Sequence, residues 1–277
     1  MIWKARVLSD FEKDIMWTYL GQNFLVDKRY ILKIVDAIKK TTEKYLDKKI
    51  GIEIWPWRGA ITKYLVDFFD KLLLFEKDES LKDFLDFWIW NIKIYFWDFL
   101  KQNLEQVLQK EDIQEAIIFW NLPYYITSPI FKKIVENQKY FPAGVFMIQK
   151  EVADKIKTNA SKKSYLWWIV NYFYDVEYLF SVPPKAFKPA PKVVSAVVRF
   201  VEKDKIPDIN FQKMLSFLDL VSWYKRKTLG KIFKILAKEG KIDLENVDLN
   251  DSIFWKRLEE LDFKDIWKIC WLFVENS

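Results

Sequence analysis

Apolar positions change their period several times along this chain, and each change marks an element. Across residues 30 to 48, "YILKIVDAIKKTTEKYLDK", Ile31, Ile34, Val35 and Ile38 recur at the three-and-four spacing of an amphipathic helix. "KIGIEIW" is a short, nearly continuous apolar run and predicts a buried strand, with a helix over "AITKYLVDFFDK" after it. "KLLLFEKD" predicts a second strand and "ESLKDFLDF" a second helix of the alternation. "IKIYFWDF" predicts a third strand and "EAIIFWNLPYY" a fourth, followed by the helix "SPIFKKIVENQ". A fifth strand, "AGVFMIQK", leads into the helix "EVADKIKT". Strand and helix alternating in this way predict an α/β fold, a parallel sheet with helices on both faces.

"DVEYLFSV" and "KVVSAVVRF" predict a late strand pair joined by the proline-rich loop "PPKAFKPAPK". Beyond residue 204 the period is helical only, in "FQKMLSFLDLV", "RKTLGKIFKILAKEG" and "FKDIWKICWLF". The expectation is an α/β domain over residues 1–204 and a small helical domain over 205–277. No solenoid-like repeat or low-complexity tract is visible.

Composition narrows the chemistry. Apolar residues make up 51% and charged residues 30%, an ordinary globular balance. No apolar run reaches the length of about 18 residues that a membrane span needs. The opening "MIWKARVLSDFEKD" lacks the apolar core and small-residue cleavage site of a signal peptide. One cysteine, Cys270, rules out an internal disulfide, and its apolar surroundings predict a buried thiol. The expected setting is the cytoplasm, away from membranes. A net charge of +6 suits a polyanionic partner. Histidine is absent, which excludes Ser–His and Cys–His catalysis and any histidine-ligated metal. With a single cysteine a structural zinc is excluded too, so no metal is expected. Chemistry must run on carboxylates, amides, aromatics, lysines or a bound cofactor.

Two stretches carry that chemistry. In doubly wound sheets the first strand ends in a tight glycine turn, and an acidic residue about 20 positions later takes ribose hydroxyls. Glu76 lies 19 residues beyond Trp57 and ends "LLLFE", which suits that role as well as it suits a solvated strand-end charge. The turn itself, "IEIWPWRGAITKYL", breaks the rule: it keeps Gly51 and Gly59 but has Trp55 and Trp57 at its tightest corners. "NLPYYITSPI" is more specific. Asn121 follows the fourth strand directly, and Asn-X-Pro-aromatic offers an amide oxygen, a backbone carbonyl fixed by Pro123 and the flat face of Tyr124. Those groups suit an exocyclic amino group on a flat ring, two acceptors and a stacking plate. A proline turn capped by Asn121 is the plainer alternative.

With these motifs in view the chain resembles the small-subunit ribosomal RNA adenine dimethyltransferase family, over nearly its whole length. "LGQNFLVD" is similar to the family's N-terminal motif, and "IEIWPWRGAIT" to its cofactor loop, usually Glu-Ile-Gly-Pro-Gly-X-Gly-X-Leu-Thr. "FEKD" matches the ribose-binding motif, "WDFL" the adenine-binding motif and "NLPYYITSPI" the catalytic motif. "MIQKEVADKI" and "VPPKAFKPAPKVVSAVVRF" resemble the segments that follow, and "YKRKTL" and "KRLEELDF" the C-terminal domain.

The resemblance implies a Rossmann-like, S-adenosylmethionine-dependent methyltransferase domain with an all-helical C-terminal domain that contacts RNA. Asn23, Leu25, Trp55 and Asn121 would approach the cofactor, Glu76 would hold its ribose, and Asp98 would accept from its adenine amino group. Asp98 also reads as a helix N-cap for "FLKQNLEQV". Asn121 and the carbonyl of Leu122 would accept hydrogen bonds from the N6 amino group of a flipped adenine, with Tyr124 stacking and Phe187 as a second wall. Such family members methylate two neighbouring adenines near the 3′ end of small-subunit ribosomal RNA, on the immature 30S subunit; nothing in the sequence suggests more than a monomer. Lys227, Lys231, Lys234 and Lys238 share one helical face by spacing and suit phosphates, as does the loop "DKIKTNASKKSY"; each is equally a solvated charge run. Two rivals remain: a large-subunit adenine methyltransferase of the macrolide-resistance type, and a non-catalytic RNA-binding assembly factor.

The departures share a pattern. Where the family has glycine this chain has Trp55, Trp57 and, by the same alignment of motifs, Trp97, Trp120 and Trp255. Glycine averages roughly 7% of residues, about 19 in a chain this long. The chain has 6 glycines and 14 tryptophans, and 6 + 14 = 20. The expectation is that many of these tryptophans are glycines specified by UGA in a lineage that reads it so.

Overall fold

The computed structural model describes residues 23–85, 89–121, 126–224, 226–245 and 247–272, without the side chains of 121 and 271–272. Chain order begins β1 (Phe24–Leu25), α1 (Lys28–Tyr45), β2 (Ile50–Ile54), β3 (Lys71–Phe75), β4 (Ile92–Tyr95) and α2 (Leu104–Lys110). It continues β5 (Ile117–Asn121), α3 (Thr127–Glu136), β6 (Ala143–Gln149), α4 (Lys150–Ile156), α5 (Tyr165–Phe173), β7 (Tyr174–Val182), β8 (Phe187–Lys188) and β9 (Ser195–Glu202). Helices α6 (Phe211–Val221), α7 (Leu229–Lys238) and α8 (Phe263–Leu272) follow.

Seven strands form one sheet in the order β4-β3-β2-β5-β6-β9-β7. The first five are parallel, while β9 runs antiparallel to both β6 and β7. The predicted parallel sheet is thus extended on one edge by the late strand pair. From β2 the chain winds outward through β3 and β4, then returns to place β5 on the other side of β2. That reversal makes the carboxyl ends of β2 and β5 the topological switch point, where doubly wound sheets bind ligands.

Side chains alternate across the sheet with the period of two expected for strands, and both faces are apolar. Ile52, Ile54, Leu73, Phe75, Ile118 and Phe146 enter one core, shared with α3, α5 and the C-terminal helices. Leu72, Leu74, Ile117, Phe119, Val145 and Met147 enter the other, beneath α1. Helix α1 buries Ile31, Ile34, Val35 and Ile38, the face its spacing predicts, and starts where the Asp27 side chain accepts from the Arg29 N–H at 3.0 Å. Phe263 of α8 packs on Trp167 and Trp168 of α5 (ring centroids 5.7 and 5.1 Å), so the helical segment after residue 204 rests on the sheet layer through aromatic contacts.

Two predicted helices are shorter and tighter than expected. Over residues 60–71 only a 3₁₀ turn, Thr62–Tyr64, is regular, and the rest alternates between i→i+3 and i→i+4 bonds. The cause is local: the Thr62 hydroxyl donates to Glu53 at 2.7 Å, and Ile61, Leu65 and Phe69 are all drawn into the core. Glu79–Phe84 is likewise a 3₁₀ segment, capped by Asp78. Helix α5 and the two-stranded pairing of β1 with β8 have no counterpart in the periodicity.

Candidate functional site

Four strand ends converge at the switch point. Ile54 lies level with Phe75 and with Trp120, and Phe75 level with Tyr95, so the segments after β2, β3, β4 and β5 emerge side by side. The loop after β2 is held by backbone bonds: Trp55 N–H donates to the Phe75 carbonyl (2.7 Å) and Gly59 N–H to the Pro56 carbonyl (2.8 Å). Its backbone is left-handed three times within five residues, at Trp55 (φ 52°), Trp57 (φ 57°) and Gly59 (φ 69°). Among the described residues only Asp112 is another non-glycine with positive φ. Aspartate tolerates that region, whereas a Cβ bearing an indole is strained in it.

Glu76 sits directly after β3, at the strand end its spacing predicts, and is 2% exposed. Its carboxylate accepts from three backbone N–H groups, those of Trp57 (3.1 Å), Lys77 (2.8 Å) and Asp78 (2.9 Å). Burial nevertheless dominates and pushes its pKa up to about 7, against the three hydrogen bonds that favour the charged form. Glu76 is therefore a buried brace of the loop, and the reading of it as a solvated strand-end charge is corrected.

A second buried carboxylate, Glu53, is absent from the residues singled out by motif. It lies inside β2, is 3% exposed and takes the Thr62 hydroxyl. Burial pushes its pKa up to about 8; the Thr62 bond opposes this and the neighbouring Glu76 charge adds to it. The sequence does carry a signal for it: a lone acid in the middle of an otherwise apolar strand, which the fold must satisfy locally.

Asp98, in the loop after β4, is paired with Lys77 (3.1 Å) and accepts from the Leu100 N–H (3.1 Å). It closes a turn and does not cap a helix: α2 starts at Leu104 with Asn103 as its cap, and the N-cap reading is corrected. The Lys77–Asp98 pair bridges the loops after β3 and β4. Asn121 ends β5 opposite Met147 of β6, at the same edge. Its side chain, and the whole of Leu122, Pro123 and Tyr124, lie outside the described residues.

The N-terminal motif arrives from the side. Leu25 pairs with Phe187 across β1 and β8, and both are buried, at 1% and 3%. Phe187 packs in the core beneath α1, with its backbone paired to the N-terminal motif. Asn23 is half-buried beside it. Next to it the Phe24 ring meets Trp57 edge-on (5.8 Å) and lies under the Arg58 guanidinium (4.9 Å).

What space remains is small. Phe24, Leu25, Glu53, Trp55, Trp57 and Ile61 border a cavity of about 20 Å³, room for one water. Trp55 is 6% exposed, and its indole N–H is buried without a hydrogen-bond partner. Trp120, one residue before Asn121, is 1% exposed, stacks on Phe131 (4.9 Å) and also leaves its N–H unpartnered.

The lysines are far from this edge in sequence. Lys231, Lys234 and Lys238 are exposed on α7, opposite its buried face of Leu229, Ile232, Phe233 and Leu236. Lys227 is exposed as well, but precedes the helix, whose N-cap is Thr228; the expectation that it lies on the helix is corrected. Along the predicted basic loop, Lys155 pairs with Glu151 within α4, and after the helix Lys162 pairs with Glu259 and Lys163 donates to the Leu261 carbonyl. Cys270 is buried, and burial raises its pKa to about 11, as an inert thiol requires. Among the described residues no three His, Cys, Asp or Glu side chains come together as a metal site, and no helix is long and apolar enough to cross a membrane.

Comparison with known proteins agrees with the geometry. A family model described as ribosomal RNA adenine dimethylase matches residues 16–270. "Ribosomal RNA small subunit methyltransferase A" of Mycoplasma mobile is 37% identical over 261 residues, covering 92% of this chain and 96% of that protein. The protein of the same name from Mycoplasmopsis pulmonis is 37% identical over 236 residues, 82% of this chain and 89% of that one. The crystal structure of a dimethyladenosine transferase from Plasmodium falciparum superposes with a TM-score of 0.70 at 24% identity, over 91% of this chain and 98% of that one. A match that runs through the switch-point loop, the strand-end acids and the C-terminal helices leaves one assignment: this chain belongs to the ribosomal RNA adenine dimethylase family.

Proposed function

We propose that this protein transfers methyl groups from S-adenosylmethionine to the N6 amino groups of two adjacent adenines near the 3′ end of small-subunit ribosomal RNA. The observation that carries the reading is the convergence, at one switch point, of the left-handed loop after β2, the braced Glu76, Asp98 and the Asn121 end of β5, within a family match spanning residues 16–270. The small-subunit names of relatives 37% identical favour this target over large-subunit RNA.

In this reading the side-chain oxygen of Asn121 and the carbonyl of Leu122 accept from the target amino group, while Tyr124 stacks on the flipped base. Both acceptors orient the nitrogen lone pair, and none of the three needs to change charge. Residues 205–277 form an RNA-contacting unit, with Lys231, Lys234 and Lys238 along phosphates. The protein acts as a monomer in the cytoplasm, on the immature subunit.

The fit to the donor divides between backbone and side chains. The loop's left-handed turns and the Glu76 brace have the form of a nucleoside-binding edge. The indoles of Trp55 and Trp57 do not fit: they stand in the space a nucleoside would occupy and leave about 20 Å³. That obstruction is the specific observation favouring a second reading, an assembly factor that binds RNA without modifying it. Transfer of radiolabelled methyl groups to immature small subunits separates the two. Label recovered as N6-dimethyladenine supports the enzyme; RNA binding without label supports the assembly factor.

A further inference from the structure

We infer that the working protein carries glycine at positions 55 and 57, and that the cleft closed by these two indoles is its donor pocket. The inference rests on the proposed methyltransferase reading for the identity of the ligand, and on the loop's own geometry for the residues.

The loop is built as a glycine loop. Of its five residues from 55 to 59, three are left-handed, and two of those three are tryptophan. A left-handed residue brings Cβ against the following carbonyl oxygen, so these positions select against every side chain with bulk. Nothing polar compensates at Trp55, whose buried N–H is unpartnered. Three bonds that shape the loop are donated by backbone N–H groups: Trp55 to the Phe75 carbonyl, Gly59 to the Pro56 carbonyl and Trp57 to the Glu76 carboxylate. Glycine would keep every one of them. It would also vacate the volume of two indoles between Phe24, Leu25, Glu53 and Ile61, directly at the switch point.

Backbone conformation also separates these two positions from the other expected replacements. Trp97, Trp120 and Trp255 do not have positive φ. Trp167 uses its indole N–H on the Lys157 carbonyl at 3.1 Å and stacks near Phe263, as a residue selected for its indole would. The whole-chain count, 6 glycines beside 14 tryptophans, supplies the cause: UGA codons meant as glycine and rendered as tryptophan.

Two measurements test this. The first reads the gene and the protein made in its own cell: UGA at codons 55 and 57, and a tryptic peptide covering residues 50–58 lighter by two indolylmethyl groups, are expected. UGG at both codons, or the heavier peptide, overturns the inference, and neither readout depends on any variant folding. The second is calorimetric titration of S-adenosylmethionine into the chain with both tryptophans and into the doubly substituted Trp55→Gly, Trp57→Gly protein. Binding by the substituted protein alone, at least 100-fold tighter than the parent, is expected. Equal binding, or no binding by a substituted protein with an intact circular dichroism spectrum, overturns the claim that these indoles close the pocket. A substituted protein that binds the donor but labels no RNA leaves the inference standing and removes the methyltransferase reading.

Discussion

Glu76 and Trp57, 19 residues apart, are joined by a hydrogen bond from the Trp57 backbone N–H to the Glu76 carboxylate at 3.1 Å. It fastens the loop after β2 to the end of β3 through a group that any residue at position 57 possesses, proline excepted. The bond is therefore indifferent to the side chain there, while the φ of 57° is not. Replacing Glu76 with alanine removes the acceptor and leaves three part-buried backbone donors unsatisfied. A loss of about 1–3 kcal/mol is expected, measured by urea unfolding, with Glu76→Gln recovering part of it.

The two buried acids set a pH dependence. Folding raises Glu53 from 4.5 to about 8 and Glu76 from 4.5 to about 7. The folded chain then binds more protons than the unfolded one between those values, so stability is full below about pH 4.5 and falls as pH rises through 7 and 8. Glu53→Gln removes the larger share. At about 1.4 kcal/mol per unit, a gain on the order of 2–4 kcal/mol at pH 9 is expected, with little change at pH 5, by thermal or urea melts across that range.

Glu111 acts in the opposite direction. Its carboxylate meets Lys71 (3.1 Å), Lys93 and the Tyr95 hydroxyl (2.6 Å), tying β3 and β4 to the end of α2. Burial works to raise its pKa, but the hydrogen bonds from Lys93, Tyr95 and Lys71 outweigh it and hold the group down to about 2. This stability is present above pH 4.5 and is lost as pH falls through 2. Both lysines are partly exposed and can return to water. Glu111→Ala should therefore cost about 1–3 kcal/mol at pH 7 and nearly nothing at pH 2, a contrast that acid titration of the two proteins reads directly.

Donor binding should appear as thermal protection in one protein only. In the Trp55→Gly, Trp57→Gly chain, saturation at about 100 times the dissociation constant adds about 2.7 kcal/mol to stability, a shift in Tm of several degrees. The chain with both indoles should show none. On the substituted background, Asn121→Ala should lower methyl transfer by roughly a hundredfold at saturating donor, measured as incorporated label.

For the exposed lysines, salt is the probe. Lys231→Ala, Lys234→Ala and Lys238→Ala should each weaken RNA binding about equally for all sequences. Each should also flatten the log–log salt dependence by about one unit for every phosphate the substitution leaves unneutralised. An unchanged slope would return α7 to the status of a solvated helix face.

Much of the fold is legible in the sequence because the sheet strands are buried on both faces and therefore written as apolar runs: "LLLF", "IIFW" and "VFMI" each form a central strand. The strand-end position of Glu76 and Asn121 follows from those runs. The segment 60–71 misleads because its apolar spacing is helical, while Thr62 is committed to Glu53 and the residues before it are left-handed. Tertiary demands of that kind leave no periodicity. Asp98 resembles a helix cap, but Asn103, five residues on, satisfies the cap instead. The pairing of Phe187 with Leu25, 162 residues earlier, is a long-range contact that no local pattern announces.

That pairing fixes an order of events. Phe24 is level with Lys188, 164 residues later, and Val26 and Asp27 both donate to the Ala186 carbonyl (2.9 and 3.1 Å). During synthesis at about 5–20 residues per second, the partner strand emerges roughly 8–30 s after the first. For that time the ring of Phe24 can meet only Trp57 and Arg58, made soon after it, while the backbone of β1 has no strand to pair with. The β1–β8 edge beside the switch-point loop thus closes only after the six strands from β2 to β7 have been made, and the nascent chain must keep β1 unpaired until then.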